Sequence, residues 1–246
     1  MNPSSQQTIK RVGMLTPSSN TVLEPYTSQI FSHFPDLASV HYARFKVTEI
    51  SLSKASVGQF DHEKILDAAH NLADAKVDCI AWNGTSAAWL GMEQDNVLCN
   101  RITAETGIEA TSTMAAFAEA TNLLKAKRIA LITPYKSEIQ KRIIAQYEAS
   151  DYRIVHSHCL EDSGNFSFAN YSVAHIKELT LAATVARPDA IHIVCTNFKG
   201  ATVAAEVEET TGIPVLDSVS VTSWKTLRMI DINPASVNGW GKVFKL

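Results

Sequence analysis

Cys195-Thr196-Asn197 is the segment of this chain best equipped for chemistry. The apolar run Ile191–Val194 before it reads as a buried strand, so Cys195 stands at a strand end. There a thiol near backbone N–H groups can have its thiolate stabilised and act as acid, base or nucleophile. Cysteine–histidine hydrolysis is disfavoured, because His192 is an odd number of residues from Cys195 and its side chain leaves the opposite face of the strand. His41, His62, His70, His156 and His158 show no diagnostic spacing. Cys79, Cys99 and Cys159 read as small apolar core residues. The four cysteines form no CxxC pair or other metal-ligand pattern, and neither a GxGxxG nor a P-loop is present, so no metal or cofactor is expected.

Four further segments offer polar groups at comparable places. Gly84-Thr85-Ser86 follows the apolar stretch Cys79–Trp82; glycine permits close backbone approach, and two hydroxyls can surround an anionic oxygen. Pro17-Ser18-Ser19-Asn20-Thr21 follows Val12–Leu15, and the Asn20 carboxamide can donate to a carboxylate. Tyr135 follows Thr133-Pro134, and Asn165 sits in a Gly-Asn turn. Each segment can equally be a helix cap, a polar turn or, for Tyr135, a bridge between core and solvent.

These segments recur in a pattern. Arg11-Val12-Gly13-Met14-Leu15-Thr16-Pro17 returns 117 residues later as Arg128-Ile129-Ala130-Leu131-Ile132-Thr133-Pro134. The stretch Val77–Ser86 returns 111 residues later as Pro188–Asn197, and Thr106-Gly107-Ile108 returns 105 residues later as Thr211-Gly212-Ile213. Three echoes in one order imply two halves of common design. In this register Cys195 falls on Gly84, so one half carries a thiol where the other has none.

Strand-like runs alternate with helix-period segments, the signature of an α/β fold in which mainly parallel sheets are flanked by helices. Asp61 is a plausible N-cap for a helix through Ala75, Ser137 for a second helix, and Ala201–Thr210 reads as a third that ends near Gly212. Two pseudosymmetric lobes are expected: residues 1–117, with 218–246 packing back on them, and residues 118–217. Ligands of such sheets bind beyond the carboxyl ends of the strands, where all these segments lie, so the active site is expected in the cleft between the lobes. Gly84 and Cys195 would then face each other, and Gly84→Cys would give a two-thiol cleft. Trp82 and Trp89 are candidates for an apolar wall but read first as core residues.

Composition narrows the function classes. With 46% hydrophobic and 19% charged residues and a net charge of −3, the chain has the balance of a soluble globular enzyme. It lacks the clustered Lys and Arg of a nucleic-acid surface. Apolar runs are too short for a bilayer span, and Met1–Gln7 is too polar for a signal peptide, so a cytoplasmic protein is expected. Assembly into a homo-oligomer is compatible with the sequence.

Taken together, the segments resemble the aspartate/glutamate racemase superfamily, in particular its arylmalonate decarboxylase and maleate cis-trans isomerase branch. Gly13–Thr21, Tyr135 and Asn165 are similar to the maleate isomerases, whereas Gly84-Thr85-Ser86 and Gly239-Trp240-Gly241-Lys242-Val243-Phe244 are more similar to arylmalonate decarboxylases. The resemblance implies two pseudosymmetric lobes around a cofactor-free site. Racemases of this superfamily use two opposed cysteines, and the isomerases use a first-half cysteine; here that position is Gly84, with Asn83 its nearest alternative. Decarboxylases of the branch have a glycine there and one catalytic cysteine in the second half.

By that resemblance Gly84, Thr85, Ser86 and Tyr135 surround the enediolate left by decarboxylation of a malonate-like acid, aryl- or alkyl-substituted, and Cys195 protonates it. Ser19, Asn20, Asn83, Asn165 and Thr196 are the expected substrate-binding residues. Thr196 and Asn197 stand where those decarboxylases have glycines, which suits a smaller, more polar substrate. The alternatives are cis-trans isomerisation or racemisation of a small carboxylic acid, and a carboxylate-binding protein without turnover.

Overall fold

A computed structural model describes residues 8–246; the polar stretch Met1–Gln7 lies outside the described residues. Eight strands among the described residues form two parallel sheets. The first contains β1 (Lys10–Pro17), β2 (Ala38–Phe45), β3 (Cys79–Trp82) and β4 (Ala110–Ser112) in the order β2-β1-β3-β4. The second contains β5 (Arg128–Thr133), β6 (Arg153–Cys159), β7 (Ala190–Ile193) and β8 (Val215–Asp217) in the equivalent order β6-β5-β7-β8. Every strand pair is parallel.

Helices cover the sheets. In chain order they are α1 (Leu23–Phe31), the single turn α2 (Lys54–Val57), α3 (His62–Asp74), the single turn α4 (Ala87–Leu90), α5 (Met92–Thr106) and α6 (Thr113–Leu123). The second half adds α7 (Ser137–Ala149), α8 (Val173–Thr184), α9 (Ala201–Thr211) and α10 (Ser218–Met229). None of the described helices is long and apolar enough to cross a membrane.

Central strands β1, β3, β5 and β7 are apolar almost continuously because both sheet faces are covered. The sequence echoes have physical causes. In the first, Asp78 accepts the Arg11 N–H at 2.7 Å, and Asp189 accepts those of Lys127 and Arg128 at 2.9 and 2.8 Å, so each aspartate clamps the entry to its half's first strand. In another, Thr106 and Thr211 donate to carbonyls one turn back at 2.6 and 2.7 Å and accept the N–H groups of Ile108 and Ile213. Between each pair a glycine takes a left-handed conformation, Gly107 at φ 72° and Gly212 at φ 75°, which ends α5 and α9.

Asp61 caps α3 by accepting the Glu63 N–H. Ser137 is not the cap of α7 but its first residue; its N–H donates to Glu161 Oε1 at 3.1 Å. Helices α6 and α10 begin at corresponding strand ends, capped by Ser112 and Asp217, and pack together. Thr113 and Thr222 share a 2.9 Å hydrogen bond, and Glu119 receives Lys225 and Arg228 at 2.5 and 2.8 Å. Residues after the second sheet also reach the first half, with Trp240 edge-on to Tyr26 at 5.5 Å between centroids.

Candidate active site

The segments after β1, β3, β5 and β7 meet at the carboxyl ends of both sheets around one small cavity of about 20 Å³. Cys195 is 2% exposed and lines it. Its backbone N–H donates to Ser218 Oγ at 2.9 Å, and Ser218 Oγ donates to the Ile193 carbonyl at 3.1 Å. The first residue of α10 therefore fixes the backbone from which the thiol projects. The Tyr135 hydroxyl and the Asn197 N–H face the sulfur and favour its thiolate, but burial outweighs them and pushes the thiol up to about 12. The resting group is S–H.

Opposite the thiol, Tyr135 is buried with its hydroxyl 2.8 Å from Thr85 Oγ1, and its ring is held edge-on by Trp89 and Phe168 at 5.2 and 5.5 Å. Ser86 lines the same wall, and its hydroxyl does not cap α4. The backbone N–H groups of Thr85 and Ser86 have no acceptor among the described residues. Hydroxyls and open N–H groups on one wall are suited to an anionic oxygen. Pro17, Val47, Ile50, Phe60 and Trp89 supply the apolar wall, and no charged side chain lines the cavity. Above it the segments after β2 and β6 join: Ile50 N–H donates to Ser163 O at 2.9 Å, and Glu49 bridges Gly164.

The remaining sequence candidates divide. Asn165 lines the cavity and donates to Ser19 Oγ at 2.8 Å. Ser19 is outside the lining, its hydroxyl committed to Asn165 and to Val47 O at 2.7 Å. Asn20 is outside too: its carboxamide oxygen accepts the N–H groups of Val22 and Leu23 at the start of α1, and its nitrogen donates to Thr196 Oγ1 at 3.0 Å. Thr196 in turn reaches the Asn83 carbonyl at 3.4 Å. The Asn83 carboxamide donates to Met14 Sδ and Ala81 O, both at 3.2 Å, inside the first sheet. Ser19 and Asn20 thus bind protein where substrate was expected, because helix capping and loop closure claim their polar atoms first, whereas Asn83 and Thr196 line the cavity.

Gly84 reaches the cavity through its backbone. A side chain at this position meets the Trp82 ring: a Cβ at Gly84 would lie 2.0 Å from Trp82 Cζ2, so in Gly84→Cys the indole must shift before a second thiol can face Cys195. Trp82 and Trp89 are both buried, yet Trp89 lines the cavity. His192 is buried away from it, bound by Thr121 at 3.2 Å and Tyr147 at 3.1 Å.

Sequence reading missed Ser218 and the reach of Asn197. The Asn197 carboxamide oxygen accepts the N–H groups of Thr21 and Val22 at 2.9 and 3.2 Å, and its nitrogen donates to Asn165 O at 2.6 Å. It ties three of the site's loops together. Its adjacency to Cys195 was the available signal. Among the described residues no group of three His, Cys, Asp or Glu side chains is placed to hold a metal ion.

A two-lobed parallel α/β protein with a thiol, a tyrosine and paired hydroxyls at one shared cleft is the class defined by this geometry. Residues 12–244 match the arylmalonate decarboxylase family, and the chain belongs to that family, in the aspartate/glutamate racemase-like superfamily. It is 23% identical over 235 residues to a maleate isomerase of Pseudomonas putida, covering 91% of this chain and 93% of the relative. It is 22% identical to the arylmalonate decarboxylase of Bordetella bronchiseptica, covering 97% and 98%. Among solved structures, a maleate isomerase from Pseudomonas putida S16 with maleate superposes with a TM-score of 0.87 at 21% identity, covering 96% of this chain and 98% of that one. An arylmalonate decarboxylase gives 0.77 at 22%, covering 96% and 99%. The family's named relatives are enzymes of two kinds, a lyase and an isomerase.

Proposed function

We propose that this protein is a cofactor-independent carboxy-lyase acting on a malonate-like dicarboxylic acid. The observation that carries the reading is the unequal pair of segments after β3 and β7: a buried thiol at Cys195 lining the cavity, and at Gly84 a position without a side chain. One carboxylate of the substrate is held by Thr85, Ser86, Tyr135 and the open N–H groups beside them. The other lies against the apolar wall of Val47, Ile50 and Phe60, where loss of charge as carbon dioxide is favoured over retention. Cleavage of the carbon–carbon bond leaves its electron pair on the enediolate, whose developing charge the hydroxyl wall stabilises. Cys195 S–H then protonates the carbon, and the resulting thiolate regains a proton from water. Net consumption is one proton per carbon dioxide released.

A protonated thiol suits this role better than nucleophilic attack, which needs the thiolate. A second reading, cis-trans isomerisation of a small unsaturated dicarboxylate, is favoured by Asn165, which lines the cavity as the isomerase resemblance implies. Incubation of the purified protein with 2-substituted malonates and with maleate in D₂O, followed by NMR, separates the two. Monoacid deuterated at the α-carbon, absent with Cys195→Ala, supports the lyase. Fumarate from maleate overturns it in favour of the isomerase. Ligand-induced stabilisation with neither product, unchanged in Cys195→Ala, identifies a carboxylate-binding protein.

A further inference from the structure

The repeat register pairs Gly84 with Cys195 and also pairs Trp82 with Ile193, the last residues of β3 and β7. Two of the differences between the halves lie two residues apart: the half with the thiol has an isoleucine beneath it, and the half with the glycine has a tryptophan. The geometry shows why the differences go together. A Cβ at Gly84 would lie 2.0, 2.3 and 2.7 Å from Cζ2, Cε2 and Cη2 of Trp82, well inside any contact that carbon atoms tolerate. The indole lies across the Gly84 α-carbon and fills the place of a side chain.

Trp82 borders a second small cavity beside Asp95 and Leu98 but is held on its other sides. It is 1% exposed, and its backbone is paired in register with Leu15 on one side and Ser112 on the other. Phe45 packs on the ring at 5.0 Å between centroids, and Phe60 meets it edge-on at 6.4 Å. Its Nε1–H donates to Asp95 Oδ1 at 3.0 Å. Asp95 is itself 3% exposed, and its Oδ2 has no partner. Burying a half-satisfied carboxyl is costly. What this one does is fix the rotation of the indole over Gly84.

We propose that Trp82, held by Asp95, is a specificity-determining residue of the site: its indole excludes a first-half side chain, so the cleft admits one thiol and protons reach carbon from the Cys195 side alone. The steric part stands on geometry; the statement about protons rests on the proposed lyase reading.

Gly84→Ala, Trp82→Ile and the double variant test the steric part by thermal melting, without turnover. Trp82→Ile gives the first half the residue that the second half uses. Gly84→Ala alone is expected to lower the melting temperature by about 5–10 °C, the scale of an overpacked core in a chain this size. Added to Trp82→Ile, it is expected to cost nothing further. An equal loss in both backgrounds overturns the proposal, as does a Gly84→Ala protein that melts with the wild type. If Trp82→Ile does not fold, the same comparison is made with Trp82→Phe.

The second arm follows α-proton exchange of a 2-substituted monoacid in D₂O. Trp82→Ile/Gly84→Cys is expected to exchange at least about tenfold faster than Gly84→Cys alone, since the gain comes from a thiol newly admitted to the opposite face. Equal, measurable exchange by both overturns the proposal. Melting coupling without exchange upholds the steric assignment and sinks the one-thiol lyase reading instead.

Discussion

Thr85 Oγ1 and the Tyr135 hydroxyl meet at 2.8 Å across the join between the two halves, one from the loop after β3 and the other from the loop after β5. Neither hydroxyl is placed by its own half alone. Each orients the other's hydrogen toward or away from the cavity.

From this pairing, Tyr135→Phe and Thr85→Val are each expected to lower kcat/KM for a malonate substrate by about 100-fold, the usual loss when one preorganised donor is removed. The double variant is expected to lose far less than the product of the two, since either change disrupts the same pair. Steady-state carbon dioxide release measures all three. Fully multiplicative losses would show that the two hydroxyls act independently.

Cys195 is held as a thiol by burial, its pKa pushed up to about 12. Alkylation by iodoacetamide, followed by mass spectrometry of the Cys195 peptide, should therefore rise about tenfold per pH unit through pH 11 without levelling off. A plateau near pH 9 would mean an ordinary thiol. The same shift has a sign for stability. The folded state holds the proton more tightly than the unfolded chain, so the contribution is intact below the ordinary thiol range and is lost as pH rises toward 12.

His192 works in the opposite direction. Burial lowers its pKa to about 3, and its two nitrogens are taken by Thr121 and Tyr147. Its stabilising contribution is present above the ordinary histidine value near 6.5 and falls as pH drops toward 3, by up to about 1.4 kcal/mol per pH unit. Buried Asp95 and Asp217, raised to about 6 and about 7, carry the contrary slope in acid, so the comparison must be between proteins. Urea unfolding from pH 7 to 4 should show a shallower loss in His192→Gln than in the wild type. Parallel curves would mean that His192 is not held neutral.

Asn197→Ala removes the acceptor for two backbone N–H groups and the donor to Asn165 O in a fully buried setting. A loss of about 2–3 kcal/mol in urea unfolding is expected, together with a KM rise larger than the fall in kcat, because the loops that shape the cavity loosen. A variant with wild-type stability would show that the loops hold without it.

How much of this was legible in the residues depends on what each residue faces. The central strands β1, β3, β5 and β7 are written as unbroken apolar runs because both faces are covered. Edge strands β2 and β6 are half-exposed along most of their length, so their mixed patterns gave no period to read. The aspartate of each Val/Pro-Asp echo and the Thr-Gly-Ile helix ends were visible because a specific backbone geometry demands those residue types. Cys195, Thr85, Ser86, Tyr135 and Asn165 could be placed at strand ends and turns from the repeat and the resemblance. Ser19 and Asn20 could not be told from ligand donors, since a carboxamide or hydroxyl that closes a loop has the same spelling as one that binds a carboxylate. Nor could spacing reveal that the Trp82 ring lies over Gly84, which depends on a side-chain rotation fixed by Asp95 thirteen positions on.

Helix α10 carries an implication for how the molecule is made. It comes after both sheets in the chain, yet it packs on α1, β3 and α6 of the first half, and its opening serine anchors Cys195. On the ribosome, the half that emerges first therefore waits for nearly the last helix before its interior is sealed. A chain stalled after β8 would display the apolar faces of α1 and α6 and leave the Cys195 backbone without its Ser218 anchor, so birth order couples completion of the fold to placement of that thiol.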